Sequence, residues 1–363
     1  MGQGSIVFYV SGHGLGHARR SAALVAELVR RRPGLRVHVR TSAPAWVFAG
    51  HADVTVSVPP VAVDSGLVEH DTLSINAAAS LEQVAEVLRR RDQVIKTESA
   101  VLREQRAELV LSDVPFLAGD IAAAAGVRCV GVSNFTWDWI YEPLMRHDPR
   151  WPGMLERISA GYARMERLLK LPFGQVCPAI ERVQRLPLLA QRPRLSARQT
   201  LERLPEIPRD DRPRVLLALR GGIAEHSAIR GAAGAPGIEF LTLGPVNGGP
   251  QNLVHVDLRQ GVDFSDLLGA CDVAISKLGY GTVSECIATG KALLWPRRSG
   301  FREDGLAETE AARVMRMREI PIHDFAEGRW AEHLEALLAS PPPPEQMPAD
   351  GAEVIAEQVL QML

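Results

Sequence analysis

The sequence predicts an α/β protein built as two successive parallel-sheet halves. Three observations carry that expectation. Short apolar runs recur along the 363 residues and alternate with stretches of helical spacing, the pattern that builds parallel β-α-β units. A glycine-bearing turn closes one strand in each half: Gly12-His13-Gly14-Leu15-Gly16-His17 after Ser5–Val10, and Gly279-Tyr280-Gly281-Thr282 after Asp272–Ser276. Between them, Pro172, Pro178, Pro187, Pro193, Pro205, Pro208 and Pro213 mark residues 172–212 as a linker. The length suits two domains, expected at residues 1–180 and 181–348.

In the first half, Ser5–Val10 is a buried strand, and Ala22, Val25, Leu28 and Val29 give the next segment a helical apolar face ending near Arg32-Pro33-Gly34. Val37–Val39 and Val54–Val58 are further strands. Residues 59–79, beginning Pro59-Pro60 and containing His70-Asp71, form a long irregular segment, of the length that compact domains reserve for function. Ser80–Arg106 is one long helix or two broken ones. Leu109–Leu111 leads to Ser112-Asp113, and an alanine-rich helix reaches Gly126. The strand Arg128–Val132 delivers the polar and aromatic cluster Ser133-Asn134-Phe135-Thr136-Trp137-Asp138-Trp139. Helices then run through Arg167, and Leu168–Leu171 is the last strand.

In the second half the strands are Val215–Leu219, Glu239–Leu243, Leu253–Val256, Asp272–Ser276 and Ala292–Trp295. A short helix spans Asp263–Ala270. Another begins around Thr282 and Ser284 and stops at Gly290. A helix follows Phe301-Arg302-Glu303-Asp304 to about Met317, and the last one covers Glu353–Leu363, after Pro341–Pro344.

The hydrophobic share is 46%, the charged share 23% and the net charge −2. That balance gives a nucleic-acid partner no global electrostatic support. The arginine runs at Arg30–Arg32 and Arg89–Arg91 read as solvated faces. Cys129, Cys177, Cys271 and Cys286 form no C-x-x-C pair, as expected of reduced thiols. No apolar run approaches the ~20 residues that span a bilayer. The N-terminus runs straight into a strand, with no signal-peptide pattern, so a cytoplasmic location is expected.

Parallel sheets bind ligands at the carboxyl ends of their strands, where both glycine turns fall. The first turn is not G-x-G-x-x-G, so a dinucleotide site has weak support. Its two histidines suit acid–base chemistry on a hydroxyl near neutral pH. His17 is preferred over His13 as the base; the alternative is that one of them caps the helix. The second turn opens a helix whose first amides lack intrahelical partners and attract phosphate. Gly279 and Gly281 let the backbone turn tightly and approach a ligand, with Thr282 at the helix start and Glu285 one turn in, where it can bind a sugar diol. Arg220, Gly221 and Gly222 form another glycine turn that can add phosphate contacts, and Lys277 either reaches a phosphate or is an exposed structural lysine. No D-x-D occurs and the histidines lack zinc-hydrolase spacing, so no metal is expected.

These residues resemble the GT-B glycosyltransferases, including the bacterial peptidoglycan N-acetylglucosaminyltransferase that makes lipid intermediates. A closer resemblance is to the N-terminal, glycosyltransferase-like half of plant L-arabinokinase. It rests on Gly12-His-Gly-Leu-Gly-His-Ala-Arg19, Val132-Ser-Asn-Phe-Thr-Trp-Asp-Trp-Ile-Tyr141 and Leu278-Gly-Tyr-Gly-Thr-Val-Ser-Glu285. The resemblance implies two Rossmann-like domains with parallel sheets facing across a cleft, the acceptor on the first and the nucleotide sugar on the second, with helix 349–363 packing back on the first. It also implies His17 as general base, Glu285 as ribose ligand, and Glu303 and Asp304 as donor-sugar contacts in place of the frequent Asp-Gln or Gln-Gln. The kinase activity of arabinokinase belongs to a separate half and does not carry over.

The expected activity is metal-independent, inverting transfer of a hexosyl or N-acetylhexosaminyl group from a nucleotide-diphosphate sugar, a UDP-sugar first, with no cofactor. The acceptor is a small molecule, a glycan or a lipid-linked hydroxyl, the last needing peripheral membrane contact. Asp113, Asn134, Thr136, Trp137 and Asp138 are the acceptor-side candidates; Trp137 packing under a loop and Asp113 capping a helix are the alternatives. An epimerase or hydrolase on the same fold, and a non-catalytic nucleotide-sugar-binding module, also fit these residues.

Overall fold

The computed structural model describes residues 4–71, 74–219, 222–246, 248–258 and 261–363, without the side chains of residues 70, 71 and 222–225. The elements run β1 (Ser5–Val10), α1 (Gly14–Arg31), β2 (Arg36–Arg40), β3 (Val54–Ser57), β4 (Glu69–Asp71), β5 (Ser74–Ile75), α2 (Ala77–Arg89), α3 (Arg91–Glu104), β6 (Leu109–Asp113), α4 (Leu117–Ala125), β7 (Arg128–Ser133), α5 (Trp137–Met145), α6 (Trp151–Ala163), β8 (Arg167–Lys170) and β9 (Val183–Arg185). They continue α7 (Ala197–Arg203), β10 (Arg214–Leu217), α8 (Gly222–Gly234), β11 (Glu239–Thr242), β12 (Leu253–His255), α9 (Phe264–Gly269), β13 (Val273–Ile275), α10 (Tyr280–Thr289), β14 (Ala292–Pro296), α11 (Arg302–Ala311), β15 (Met317–Ile320), α12 (Ile322–Glu327), α13 (Ala331–Leu338) and α14 (Gly351–Gln361).

The chain forms two compact units, one of Met1–Val68, Ile75–Ala190 and Pro348–Leu363, the other of Glu69–Ser74 and Gln191–Met347. The first is organised on a sheet of order β3-β2-β1-β6-β7-β8-β9, with parallel pairings. Its strand order reverses between β1 and β6. Helices approach a parallel sheet from both faces, so a crevice opens at the carboxyl ends of the two strands flanking such a reversal. The register pairs Val10 with Asp113, so the residues after β1 and the end of β6 emerge side by side there. All six residues of β1 are buried, as a central strand covered on both faces requires.

Helix α1 buries Ala18, Leu24, Val25 and Leu28, and its buried stripe starts with the polar residues His17, Arg20 and Ser21. It stops at Arg32, before Pro33 and a left-handed Gly34 with φ 82°. Helix α14 belongs to the same unit and packs on α1, burying Ile355, Ala356 and Val359. Its entry is tied down by Leu188, whose amide donates to Pro348 O and whose carbonyl accepts from Gly351 N, each at 3.0 Å.

The second unit repeats the plan with order β12-β11-β10-β13-β14-β15 and parallel pairings. Here the order reverses between β10 and β13, whose register aligns Leu217 with Ile275. One face of this sheet packs Val215, Phe240, Val273 and Leu294 against Phe325, Trp330 and Leu334. A Cβ on Gly231 of α8 would come within 2.2 Å of the Trp330 ring, so that helix can approach only through glycine.

The segment 80–106 is two helices parted at Arg90, one of the two expected arrangements. Other elements depart from the sequence expectation. The proline-rich segment 172–212 is not plain linker: it holds β9, which pairs with β8 in the first sheet, and α7. The helix expected to run to Met317 ends at Ala311, and Met317 begins strand β15. Arginine runs 30–31 and 89–90 pair with Glu27 and Glu86 one turn earlier, the spacing that surface helices use. The four cysteines are buried and free.

Candidate active site

Each unit carries candidate residues at its own strand-order reversal and after the next strand along, β7 in the first and β14 in the second. In the first, β1 leads into Ser11, whose amide donates to Asp113 O at 3.2 Å. Gly14 takes a left-handed φ of 69°, which glycine adopts freely, and α1 starts there. His13 occupies the N-cap position but makes no side-chain cap bond. Its ring lies edge-on to Trp137 at 5.8 Å. A Cβ on Gly66 would fall 2.1 Å from its Nδ1.

His17 is 8% exposed, one turn into α1. Its Nδ1 lies 3.0 Å from Asp113 Oδ1, and its ring is flanked by Phe135 at 5.5 Å and Trp137 at 6.4 Å. Asp113 also accepts from Arg20 Nε at 2.7 Å, Arg20 Nη2 at 2.5 Å and Ser21 Oγ at 2.9 Å. Burial alone would push the Asp113 carboxyl up. The charges and hydrogen bonds of Arg20 and His17 outweigh it and hold the carboxyl well below the usual range. An ionised carboxylate only accepts, so in the contact with Asp113 Nδ1 carries the proton and Nε2 presents the lone pair; Arg20 Nη2, 2.9 Å from the same nitrogen, can only donate, and in this tautomer it donates to Asp113 Oδ1 rather than to the ring.

The other acceptor-side candidates follow β7 and all are buried; Asn134 and Trp137 reach the His17–Arg20 cluster, while Thr136 and Asp138 face Cys177. Asn134 Oδ1 accepts from Arg20 Nη1 at 2.6 Å and its Nδ2 donates to Phe173 O at 3.1 Å. Thr136 Oγ1 accepts from Cys177 N at 2.6 Å. Trp137 is 1% exposed. It stacks on Tyr141 with ring centroids 5.1 Å apart, and its Nε1 donates to Asp64 at 2.9 Å. Burial raises the Asp138 carboxyl, and its Oδ1 has no hydrogen-bond partner among the described residues.

Sequence reasoning passed over Arg20, Asp64, Phe135 and Tyr141. Phe135 and Tyr141 lie inside the quoted 132–141 motif without a role assigned, and Arg20 is three residues after His17, on the same helical face. Nothing local marks Asp64. It sits in the irregular segment after β3, partly exposed, with Ser65 O accepting from the Tyr141 hydroxyl. Burial pushes its carboxyl up, opposed by bonds from Trp137 and Ser11.

In the second unit, Ser276 follows β13, and its Oγ lies 3.4 Å from both Ala218 O and Thr282 Oγ1. Gly279 is the N-cap of α10, with φ −99° and no side-chain cap bond. Gly279 N donates to Lys277 O at 2.8 Å, so the chain turns tightly here, but neither Gly279 nor Gly281 has a positive φ, so the turn itself does not require glycine. The helix begins at Tyr280, before Thr282 and Ser284. A Cβ on Gly279 would meet nothing nearer than Lys277 Cγ at 3.9 Å, so the fold itself does not demand glycine there. Alanine at 279 is therefore expected to leave the thermal midpoint within about 2 °C of wild type. If a ligand occupies the turn, nucleoside-diphosphate affinity should fall at least about tenfold, a loss of ~1.4 kcal/mol, measured by calorimetry.

Lys277 pairs with Glu69 at 3.5 Å. Glu285 is buried, with Ser265 Oγ donating to it at 3.4 Å. Asp304 is buried against Arg298, whose Nε donates to it at 3.0 Å, while Glu303 takes Arg298 Nη2 at 3.2 Å. The Arg298 guanidinium lies 3.8 Å over the Phe301 ring. Arg220 and Gly221 lie outside the described residues, and Gly222 is described only as the start of α8. Among the described residues no cluster of His, Cys, Asp and Glu could hold a metal ion, and no helix is long and apolar enough to cross a membrane.

No protein-family model matches the chain. It is 30% identical over 338 residues to L-arabinokinase of Arabidopsis thaliana, a match covering 92% of this chain and 32% of that protein. The chain thus spans about a third of the length of that relative. Among solved structures it is similar to the calicheamicin glycosyltransferase CalG4, with TM-score 0.67, 19% identity and coverage of 100% of this chain and 99% of that one. It is likewise similar to UGT89C1 of Arabidopsis thaliana, solved with UDP, at TM-score 0.60 and 12% identity over 98% of this chain and 99% of that one. The glycosyltransferase VinC, solved with dTDP, aligns at TM-score 0.58 and 17% identity over 99% of this chain and 94% of that one. With its two units of parallel strands flanked by helices, each ordered about a central reversal, the chain has the GT-B glycosyltransferase fold.

Proposed function

We propose that this chain is a glycosyltransferase that moves a sugar from a nucleotide-diphosphate donor to a hydroxyl acceptor, with inversion and without a metal. One observation carries the reading: a buried His17–Asp113 contact at the strand-order reversal of a GT-B unit. In this mechanism the acceptor hydroxyl gives its proton to Nε2 of His17 as its oxygen bonds the anomeric carbon. The bond from that carbon to the diphosphate breaks, and its electron pair leaves on the phosphate oxygen. Asp113 accepts the Nδ1 proton throughout, fixing the tautomer and steadying the imidazolium.

The leaving diphosphate is assigned to the N-terminus of α10, where the first-turn amides offer hydrogen bonds and the positive end of the helix dipole. Glu285 is the ribose ligand in this reading. Its burial against Ser265 means that it must turn out of the α9 contact to reach the diol. A uridine diphosphate is the first choice of nucleotide, because similar folds were solved with UDP and dTDP, both pyrimidine nucleoside diphosphates. The hexosyl or N-acetylhexosaminyl group follows the resemblance alone.

The test is a thermal-shift panel of UDP, dTDP, GDP, ADP and their sugars, with and without EDTA. Stabilisation by a pyrimidine nucleoside diphosphate, unchanged by EDTA and at least about tenfold weaker in Glu285→Ala, is expected. No shift with any member removes the donor site, and loss of the shift in EDTA removes the metal-free assignment. Binding without turnover across sugar, phenol and lipid-linked acceptors would leave a nucleotide-sugar-binding module instead.

A further inference from the structure

The contact between His17 and Asp113 is not an isolated base–acid pair. Four donors converge on the two carboxylate oxygens. Oδ1 faces His17 Nδ1 at 3.0 Å and Arg20 Nη2 at 2.5 Å. Oδ2 takes Arg20 Nε at 2.7 Å and Ser21 Oγ at 2.9 Å. Arg20 Nη1 continues the network to Asn134 Oδ1 at 2.6 Å. Arg20 is 3% exposed and Asp113 1%, so water does little to screen these charges. His17, Arg20 and Ser21 are neighbours on one face of α1 by their i, i+3, i+4 spacing.

This arrangement matters for a proton acceptor. A buried Asp113 carboxylate facing His17 alone would form a neutral ion pair with the imidazolium, and the ring would then hold its proton and accept no other. Arg20 already supplies the compensating positive charge, bidentate on the carboxylate, with Nη2 2.9 Å from the same Nδ1. Protonating His17 in the presence of Arg20 sets two positive charges against the one Asp113 carboxylate, which is unfavourable with Asp64 in the uncharged form that its burial favours. The other ionisable groups facing the ring are Asp64, coupled electrostatically to it from the segment after β3, and His13, which shares the Trp137 ring.

We propose that Arg20 is a positioning residue of the His17 base: its guanidinium neutralises Asp113, so that Asp113 orients the imidazole without trapping it as imidazolium. The inference rests on the reading of His17 as base, but its test does not require substrate. The full chain is labelled with ¹³C/¹⁵N-histidine, the His17 signal is assigned by its loss in His17→Ala, and its titration is followed by NMR.

In Arg20→Met the His17 midpoint is expected to rise by about one pH unit or more, because an uncompensated carboxylate now faces the ring. Arg20→Lys, which keeps the charge, should stay within about 0.3 unit of wild type. Asp113→Asn, which leaves the guanidinium unopposed, should shift the midpoint down by about one unit or more. Asp64→Asn should leave the Arg20→Met rise in place. A folded Arg20→Met protein with an unmoved midpoint overturns the proposal. Should that variant not fold, an unmoved midpoint in Asp113→Asn overturns it equally. If these shifts appear while His17→Ala retains full turnover, the electrostatic coupling stands and the base assignment falls.

Discussion

Replacing His17 with alanine is expected to lower sugar transfer by about 10²- to 10⁴-fold, the range a positioned general base contributes, while nucleoside-diphosphate affinity stays within about twofold because the substitution removes no uniform binding. The reason is geometric: Asp113 engages Nδ1 at 3.0 Å, so Nε2 is the ring atom left to take the hydroxyl proton. His13→Ala should cost much less. His13 stands at the N-cap without a cap bond, and its ring is packed between Trp137 and Gly66, a setting that shapes the wall of the site more than it delivers a base. The measurement is initial rate of nucleoside-diphosphate release with a fixed acceptor, paired with calorimetry on the same nucleotide. Undiminished turnover in His17→Ala, or a larger loss in His13→Ala, would falsify the assignment of the base. Retained anomeric configuration in the product would remove the single-displacement mechanism.

The architecture was legible wherever the signal was local. Apolar runs such as Ile6–Val10 and Leu293–Trp295 have no charge inside them, and strands covered on both faces need that property. The two glycine turns stand out because they follow such runs directly. The proline-rich segment 172–212 misled because β9, reading Val183-Gln184-Arg185, is an exposed edge strand with no buried face to impose alternation. Its pairing with β8 is a tertiary fact. The break between α2 and α3 at Arg90 is similar: no proline or glycine marks it.

The candidate site was legible only in part, for a related reason. Asp113 ends β6 and His17 lies one turn into α1, and each stands out in the sequence separately. Their partnership comes from the β1–β6 register, which links residues 96 positions apart. Arg20 looked like one more arginine on a helix until its burial was visible. The glycine at 279 was read for its turn, whereas its φ of −99° is open to any residue. What the structure adds is its place as the N-cap of α10, directly after β13.

Asp113→Ala is expected to destabilise the first unit by about 3–5 kcal/mol, the cost of removing one partner of a buried pair and leaving the other's charge behind. Arg20 is the charge left behind, 3% exposed and deprived of its bidentate acceptor. Asn134 Oδ1, which still accepts from Nη1, cannot replace a carboxylate. By contrast, Glu27→Ala removes pairs with Arg30 and Arg31 at the helix surface, where such pairs contribute about 0–1 kcal/mol. The pH dependence separates the two further. Although burial opposes ionisation of Asp113, Arg20 and His17 hold its carboxyl below the ordinary value in the folded chain. A depressed folded value means that its contribution is complete above the unfolded-state value of about 3.9 and is lost as the pH falls from there toward the folded value. Urea melts at pH 7 should therefore show the full difference between wild type and Asp113→Ala. At pH 3 and below the difference should narrow, because the unfolded wild-type chain then binds a proton at this carboxyl that the folded chain does not. Coincident midpoints at pH 7 would show that Arg20 finds other compensation, and the charge balance argued for His17 would lose its anchor.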